Sequence, residues 1–309
     1  MQKATMRHNA PIHLIGVPID AGGGRPGARS GPASLRSCGI ADAVEGMVDL
    51  GDVINPDHPR GETLDSRFSH SMETAIAARD KVEASLRAGA IPLTIGGDHS
   101  LSVGSLAAVA RVCAERGLDA PGLLWLDAHL DLNTPETSPT GNSHGMSAAA
   151  LLGYHIPGLS EVVGEHAFFD RTRSAFIGHR DVDDGERVRL VEGPYRDIPC
   201  SELPGDDLEA RIDTILDIVA PDGGHFCLSF DIDVMDPVHA PGIDTPVHEG
   251  LDPKTAERIL ARVAAHGGLV AMDLVEVNPE FDTLDQTAKL AVDLTAPVIA
   301  SAQPLIQHP

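Results

Sequence analysis

Short apolar runs recur along the chain, each ending in glycine or polar residues: 12–18 (IHLIGVP), 91–99 (IPLTIGGDH), 122–129 (GLLWLDAH), 174–180 (SAFIGHR), 225–233 (HFCLSFDID) and 268–277 (GLVAMDLVEV). Continuous β-rich runs of this length predict strands buried on both faces of a parallel sheet, since strict alternation is needed only where one face meets water. Weaker candidates are 47–53 (MVDLGDV) and 187–193 (RVRLVEG). Between them, 71–88, 99–117, 206–220, 253–265 and 285–301 carry apolar positions at three- and four-residue spacing, the period of a helix with one buried face. Alternating strands and helices predict an α/β fold: a single three-layer α/β/α domain over 1–309, with a central, mainly parallel sheet of about eight strands. No Ser/Pro linker, internal repeat or low-complexity tract divides it.

Nearly every strand candidate ends in carboxylates or histidine: Asp98-His99, Asp127-Ala-His129, Asp231-Ile-Asp233 and Glu276. Ligands of an open parallel sheet bind outside the carboxyl ends of its strands, so a site is expected at one edge. In extended chain Asp127 and His129, two residues apart, share a face. Asp131 joins them if the chain turns beyond the strand. Asp231 and Asp233 repeat the arrangement, and His99 ends a third strand where a helix begins. Four carboxylates converging in a small cavity repel one another, and burial raises the cost of each charge. Two divalent cations remove that conflict. Mixed carboxylate and imidazole ligands suit Mn²⁺, with Zn²⁺, Fe²⁺, Co²⁺ and Ni²⁺ also open.

Composition narrows the partners. With 46 acidic against 23 basic residues the formal charge is −23, which repels nucleic acid and anionic membranes alike. Aromatic residues are 3% of the chain, so Ala, Val, Leu and Ile must build the core, as suits helices on a buried sheet. The four cysteines form no Cys-x-x-Cys pair and read as scattered thiols in a reducing compartment. The first ten residues hold no apolar run and no stretch is long enough to span a bilayer, so a cytoplasmic protein is expected.

GGDHS (96–100), DAHLDLNT (127–134), SPTGNSHGM (138–146) and SFDIDVMDP (229–237) together resemble the arginase (ureohydrolase) family. The likeness runs from IGVPIDAGGGRPGARSGP near the start to EVNPEFD near the end. It implies an arginase-like fold, a homo-oligomer (trimer or hexamer), two Mn²⁺ ions per subunit, and hydrolysis of L-arginine to L-ornithine and urea. One ion would be held by His99, Asp127, Asp131 and Asp231, the other by Asp127, His129, Asp231 and Asp233. Asp131 would carry a proton to the leaving amine, His144 would exchange protons with solvent, and Glu276 would pair with the guanidinium. Asn133, Ser138 and Thr140, with Asn142 nearby, match positions that grip the substrate's α-carboxylate. Asp183 and Glu186 match positions that recognise its α-ammonium, and Thr245 keeps its place on the pocket wall. Asp244, His248, Glu249 and Val234 stand where the family usually has glycine, which changes the shape and charge of that wall. Hydrolysis of agmatine, or of a guanidino acid other than arginine, is the alternative. A non-enzymatic metal-binding scaffold fits poorly with a complete ligand set.

Overall fold

The computed structural model describes residues 10–55, 57–165 and 168–305. Residues 1–9, on which the expectation of no N-terminal signal rests, lie outside them. Eight strands form one sheet: β1 (Ile12–Val17), β2 (Met47–Asp52), β3 (Ile91–Gly96), β4 (Gly122–Leu126), β5 (Ser174–Ile177), β6 (Arg196–Ile198), β7 (Phe226–Asp231) and β8 (Leu269–Val275). Their order is β2-β1-β3-β8-β7-β4-β5-β6, and every described pairing is parallel.

Alternate residues of β1, β4, β5 and β7 enter opposite cores, as a period of two requires. Leu93, Ile95, Leu124 and Leu126 pack against α1 (Gly31–Ser37), α7 (Leu208–Val219), α8 (Pro253–His266) and α9 (Gln286–Ile299). Ile15, Val17, Leu123 and Trp125 pack against α2 (Leu64–Arg87), α3 (Ser102–Glu115), α4 (Ser147–Leu151) and α5 (Leu159–Val163). Where α2 meets α3, a Cβ on Gly104 would collide with the Ala75 carbonyl, so only glycine permits this crossing. The structure bears out three layers around a parallel sheet.

Two boundaries differ from the sequence reading. Residues 187–193 are not a strand: all but Gly193 belong to α6 (Asp184–Glu192). Its valines mislead because they serve no core, Val188 being 53% and Val191 79% exposed. The edge strand is the neighbouring β6. Helix α2 also begins earlier than its apolar period implies, because Thr63 and Ser66 cap its polar first turn by reciprocal hydrogen bonds.

Candidate metal centre and substrate cavity

The four central strands β3, β8, β7 and β4 are neighbours in the sheet, and their carboxyl ends deliver His99, Glu276, Asp231 and Asp127 to one place. Local hydrogen bonds aim these side chains. Asp127 Oδ1 accepts from the His129 N–H at 2.7 Å, and Asp231 Oδ1 accepts from the Asp233 N–H at 2.8 Å. Each motif is thus a turn closed by its own aspartate. This corrects the extended-chain argument for Asp127 and His129, because β4 stops at Leu126 and the chain bends. Asp131, with φ 52°, supplies the further turn that brings it back. Asp98 Oδ1 accepts from Ser100 N–H at 3.0 Å and starts the 3₁₀ turn on which His99 sits.

His99 Nδ1 lies 3.2 Å from Asp127 Oδ2, 3.1 Å from Asp131 Oδ2 and 3.0 Å from Asp231 Oδ2. His129 Nδ1 lies 3.3 Å from Asp127 Oδ1 and 3.1 Å from Asp233 Oδ2. Ligand atoms of His99, Asp127 and Asp231, and separately of Asp127, His129 and Asp233, come within 4.8 Å of one another. Asp127 belongs to both groups, as a bridging ligand must.

Hydrogen bonding alone does not account for this cluster. His99 Nε2 is hydrogen bonded to Ser229 Oγ at 2.7 Å, so with its proton donated there Nδ1 keeps a lone pair. Buried Nδ1 and Asp131 Oδ2 have no hydrogen-bond partner among the described residues. Lone pairs that converge without protons between them fit a divalent cation. Without a cation, the same groups would take up protons instead. Burial, then the Asp127 charge, pushes Asp131 well above the usual carboxylate range; burial, then Asp233, does the same to Asp231. Burial works against a charged His99, yet Asp131 and Asp127 outweigh it and raise the imidazole to about 9.

Trp125 braces the cluster from the strand. Its ring stacks on His99 with centroids 4.2 Å apart, and its Nε1 donates to Asp127 Oδ2 at 2.9 Å. Sequence reasoning passed over this residue, although the chain's one tryptophan two positions before Asp127 was the available signal. Arg180, also missed, donates to the carbonyls of Asp233, Val234, Met235 and Val247, tying the Asp233 turn to the 244–249 segment.

Above the cluster is a cavity of about 240 Å³. It is lined by His99, His129, Asp131, Asp231 and Asp233 at its base, and by Asn133, Ser138, Thr140, Asn142, Asp183, Glu186, Thr245, His144 and Glu276 around it. Every residue singled out for the site therefore faces it, except Asp127, which lies buried beneath. Glu276 Oε1 accepts from the His99 N–H at 2.8 Å and meets His144 Nδ1 at 3.0 Å, while its buried Oε2 lacks a partner among the described residues. Burial opposes a proton on His144, but the hydrogen bond with Glu276 prevails and shifts the imidazole upward. Thr245 donates to Asp233 Oδ2 at 3.0 Å.

The rim is tied differently. Asn133 Nδ2 donates to Asp183 Oδ2 at 2.8 Å and its Oδ1 accepts from Thr137. Glu186 accepts backbone N–H groups of Leu132 and Asp183, at 2.9 and 3.0 Å, and burial pushes it up to about 7. Asp181, close to these acids in the chain, also lines the cavity. Of the four departures from glycine, His248 and Glu249 are exposed, while Val234 packs over Gly178 and Asp244 is buried.

Comparison with known proteins agrees with this geometry. The chain matches the Arginase family over residues 10–300. It is 34% identical to an arginase of Bacillus caldovelox, over 92% of this chain and 96% of that one. The crystal structure of arginase from Bacillus caldovelox superposes with a TM-score of 0.85 at 33% identity, covering 94% of this chain and 98% of the other. Entamoeba histolytica arginase in complex with L-ornithine gives 0.83 at 26% identity, over 93% and 98%. A hypothetical agmatinase from Burkholderia thailandensis is more distant, at 0.70 and 25% identity over 94% and 85%. By sequence and by fold, the chain belongs to the arginase family, hydrolases of the guanidino C–N bond.

Proposed function

We propose that the protein hydrolyses L-arginine to L-ornithine and urea at a centre of two Mn²⁺ ions. The observation that carries this reading is the approach of His99 Nδ1 to three carboxylates at 3.0–3.2 Å, at the base of a cavity with polar donors at its rim. His99, Asp127, Asp131 and Asp231 would hold one ion, and Asp127, His129, Asp231 and Asp233 the other. When bound, such a pair polarises water enough to make it nucleophilic near neutral pH.

The chain's own residues do the rest. Glu276 offers Oε2 to the guanidinium, its Oε1 being fixed by the His99 N–H and by His144. That pairing orients the guanidinium carbon toward the cation site, which removes much of the entropic cost of attack. Asp131 takes a proton from the attacking water and hands it to the departing amine as the guanidino C–N bond breaks. His144 holds a proton against Glu276 and exchanges it with solvent through the cavity.

At the rim the α-carboxylate takes donors from Asn133, Ser138, Thr140 and Asn142. Asp183 receives the α-ammonium, and Glu186 stiffens Asp183 from behind. Substrate then takes over the hydrogen bond that Asn133 and Asp183 make with each other. Among the described residues no helix is long and apolar enough to cross a membrane. The reading includes a single catalytic domain in a cytoplasmic homo-oligomer, trimer or hexamer, whose mass sedimentation measures.

The test is direct. Protein stripped by chelation and reloaded with Mn²⁺ is incubated with arginine, agmatine and guanidinobutyrate, and urea is measured. Arginine should lead in kcat/KM by on the order of 100-fold, about 3 kcal/mol of discrimination. Agmatine outrunning arginine would overturn the substrate assignment.

A further inference from the structure

We propose that Asp244 is a specificity-determining residue, whose Oδ2 accepts a hydrogen bond from the cationic head of the substrate beside Glu276. The proposal rests on the guanidine-hydrolase reading above and deepens it. Asp244 is 2% exposed, and its two oxygens have different surroundings. Oδ1 accepts from Asn278 Nδ2, and that amide is itself fixed by donating to the Pro26 carbonyl at 3.0 Å. Oδ2 has no hydrogen-bond partner among the described residues. Glu276 Oε2 is in the same condition, and Asn278, which holds Asp244, follows Glu276 by two residues.

The place of this carboxyl is also defined. Asp244 lines a chamber of about 370 Å³ that shares His129, Asn142, Asp181 and Thr245 with the cavity over the metal cluster. Its neighbour Thr245 is hydrogen bonded to Asp233, so the segment is anchored to the centre. A buried acceptor without a donor is costly, and the charge of Glu276, itself buried with an unpartnered oxygen, adds to that cost. Burial first, then the Glu276 charge, pushes Asp244 up to about 8; Asp98 adds to this and His144 opposes it. Arg25, His129 and Asp181 are the other charged or titratable groups around the chamber. A planar cation rich in N–H groups relieves both acids together, since a guanidinium presents donors along more than one edge. Glycine at this position, which the family likeness leads one to expect, would leave Glu276 to meet the guanidinium alone.

The experiment compares wild type, Asp244→Asn and Asp244→Gly, each loaded with Mn²⁺. Steady-state kinetics are measured with L-arginine, and inhibition with its neutral ureido isostere L-citrulline. Asp244→Asn should raise KM for arginine ~10–100-fold with kcat changed less than about threefold, and Asp244→Gly should raise it less. Citrulline inhibition should change less than about twofold in both, since it offers no charge to pair. Unchanged KM in both variants, or equal losses for arginine and citrulline, would overturn the proposal. If Asp244→Asn does not fold, Asp244→Gly decides alone. If wild type prefers another guanidine, the arginine reading fails while the same fold-changes are read on that guanidine. If it turns over none, calorimetric arginine binding decides, and equal affinity in wild type and variants overturns the role of Asp244.

Discussion

At the inner end of the cavity His99 Nδ1, Asp131 Oδ2 and Glu276 Oε2 lack hydrogen-bond partners among the described residues, whereas at the rim the Asn133 amide, Asp183 Oδ2 and both Glu186 oxygens are already bonded. Both ends are rich in acids, yet only the inner one leaves them in unresolved conflict. The two ends accordingly ask for different guests. Lone pairs converging on one point need either protons or a cation that stays. Satisfied side chains need only a ligand that offers equivalent hydrogen bonds and then leaves. On the proposed function, the inner end would hold the cations and the guanidinium, and the rim would select for the α-carboxylate and α-ammonium.

Three experiments strain that contrast. Removing Asp127, which belongs to both ligand groups, should cost on the order of 10³-fold or more in kcat, because water activation by the ions is lost. Metal analysis of Asp127→Ala should show both ions gone; full occupancy would break the assignment of the inner end.

Chelation comes next in size. Loss of tightly bound cations should remove about 3–4 kcal/mol of stability, or about 10 °C in the thermal midpoint. The gap should also widen with pH. Asp131 and Asp231 are raised well above the usual carboxylate range, Glu186 sits at about 7 and Asp244 at about 8. A carboxyl whose folded pKa exceeds its unfolded value stabilises the fold below the unfolded pKa, and that contribution is lost as pH rises through the folded one. Chelated protein should therefore weaken between pH 5 and 8, while bound cations offset the ligands' share of the repulsion. Melting curves with and without chelator at the two ends of that range give the answer; a gap that narrows toward pH 8 contradicts a cation site.

The smallest effect is at the rim. Asn133→Ala should raise KM for arginine about tenfold and change it for agmatine, which has no carboxylate, less than about twofold. Equal effects on both substrates would mean that Asn133 only braces Asp183.

The residues of the candidate cation centre were legible because parallel strands bring their carboxyl ends to one edge, so Asp127, His129, Asp231 and Asp233 could be grouped without knowing a single distance. What was misread was local. The bend at Asp127 depends on a side-chain oxygen competing for a backbone N–H, which a period-of-two argument omits. The valines of α6 look like a strand because β-branched residues fit one, but a run without a buried face follows its neighbours instead. Pairings far apart in sequence, such as His144 with Glu276 or Asp244 with Asn278, leave no trace in residue spacing. The charge conflict around Asp244 was visible only as an acid in an unexpected place.

The turns at Asp127 and Asp231 have an implication for protein engineering. Each aspartate supplies the bend that ends its strand and, on the proposed function, an oxygen for the cation, so the geometry of half a binding site would be written in three consecutive residues. Such a triplet is portable. Placed at the carboxyl ends of two adjacent strands in an unrelated parallel sheet, a pair of them should shape their own loops, leaving the designer to supply the counterparts of His99 and Asp131.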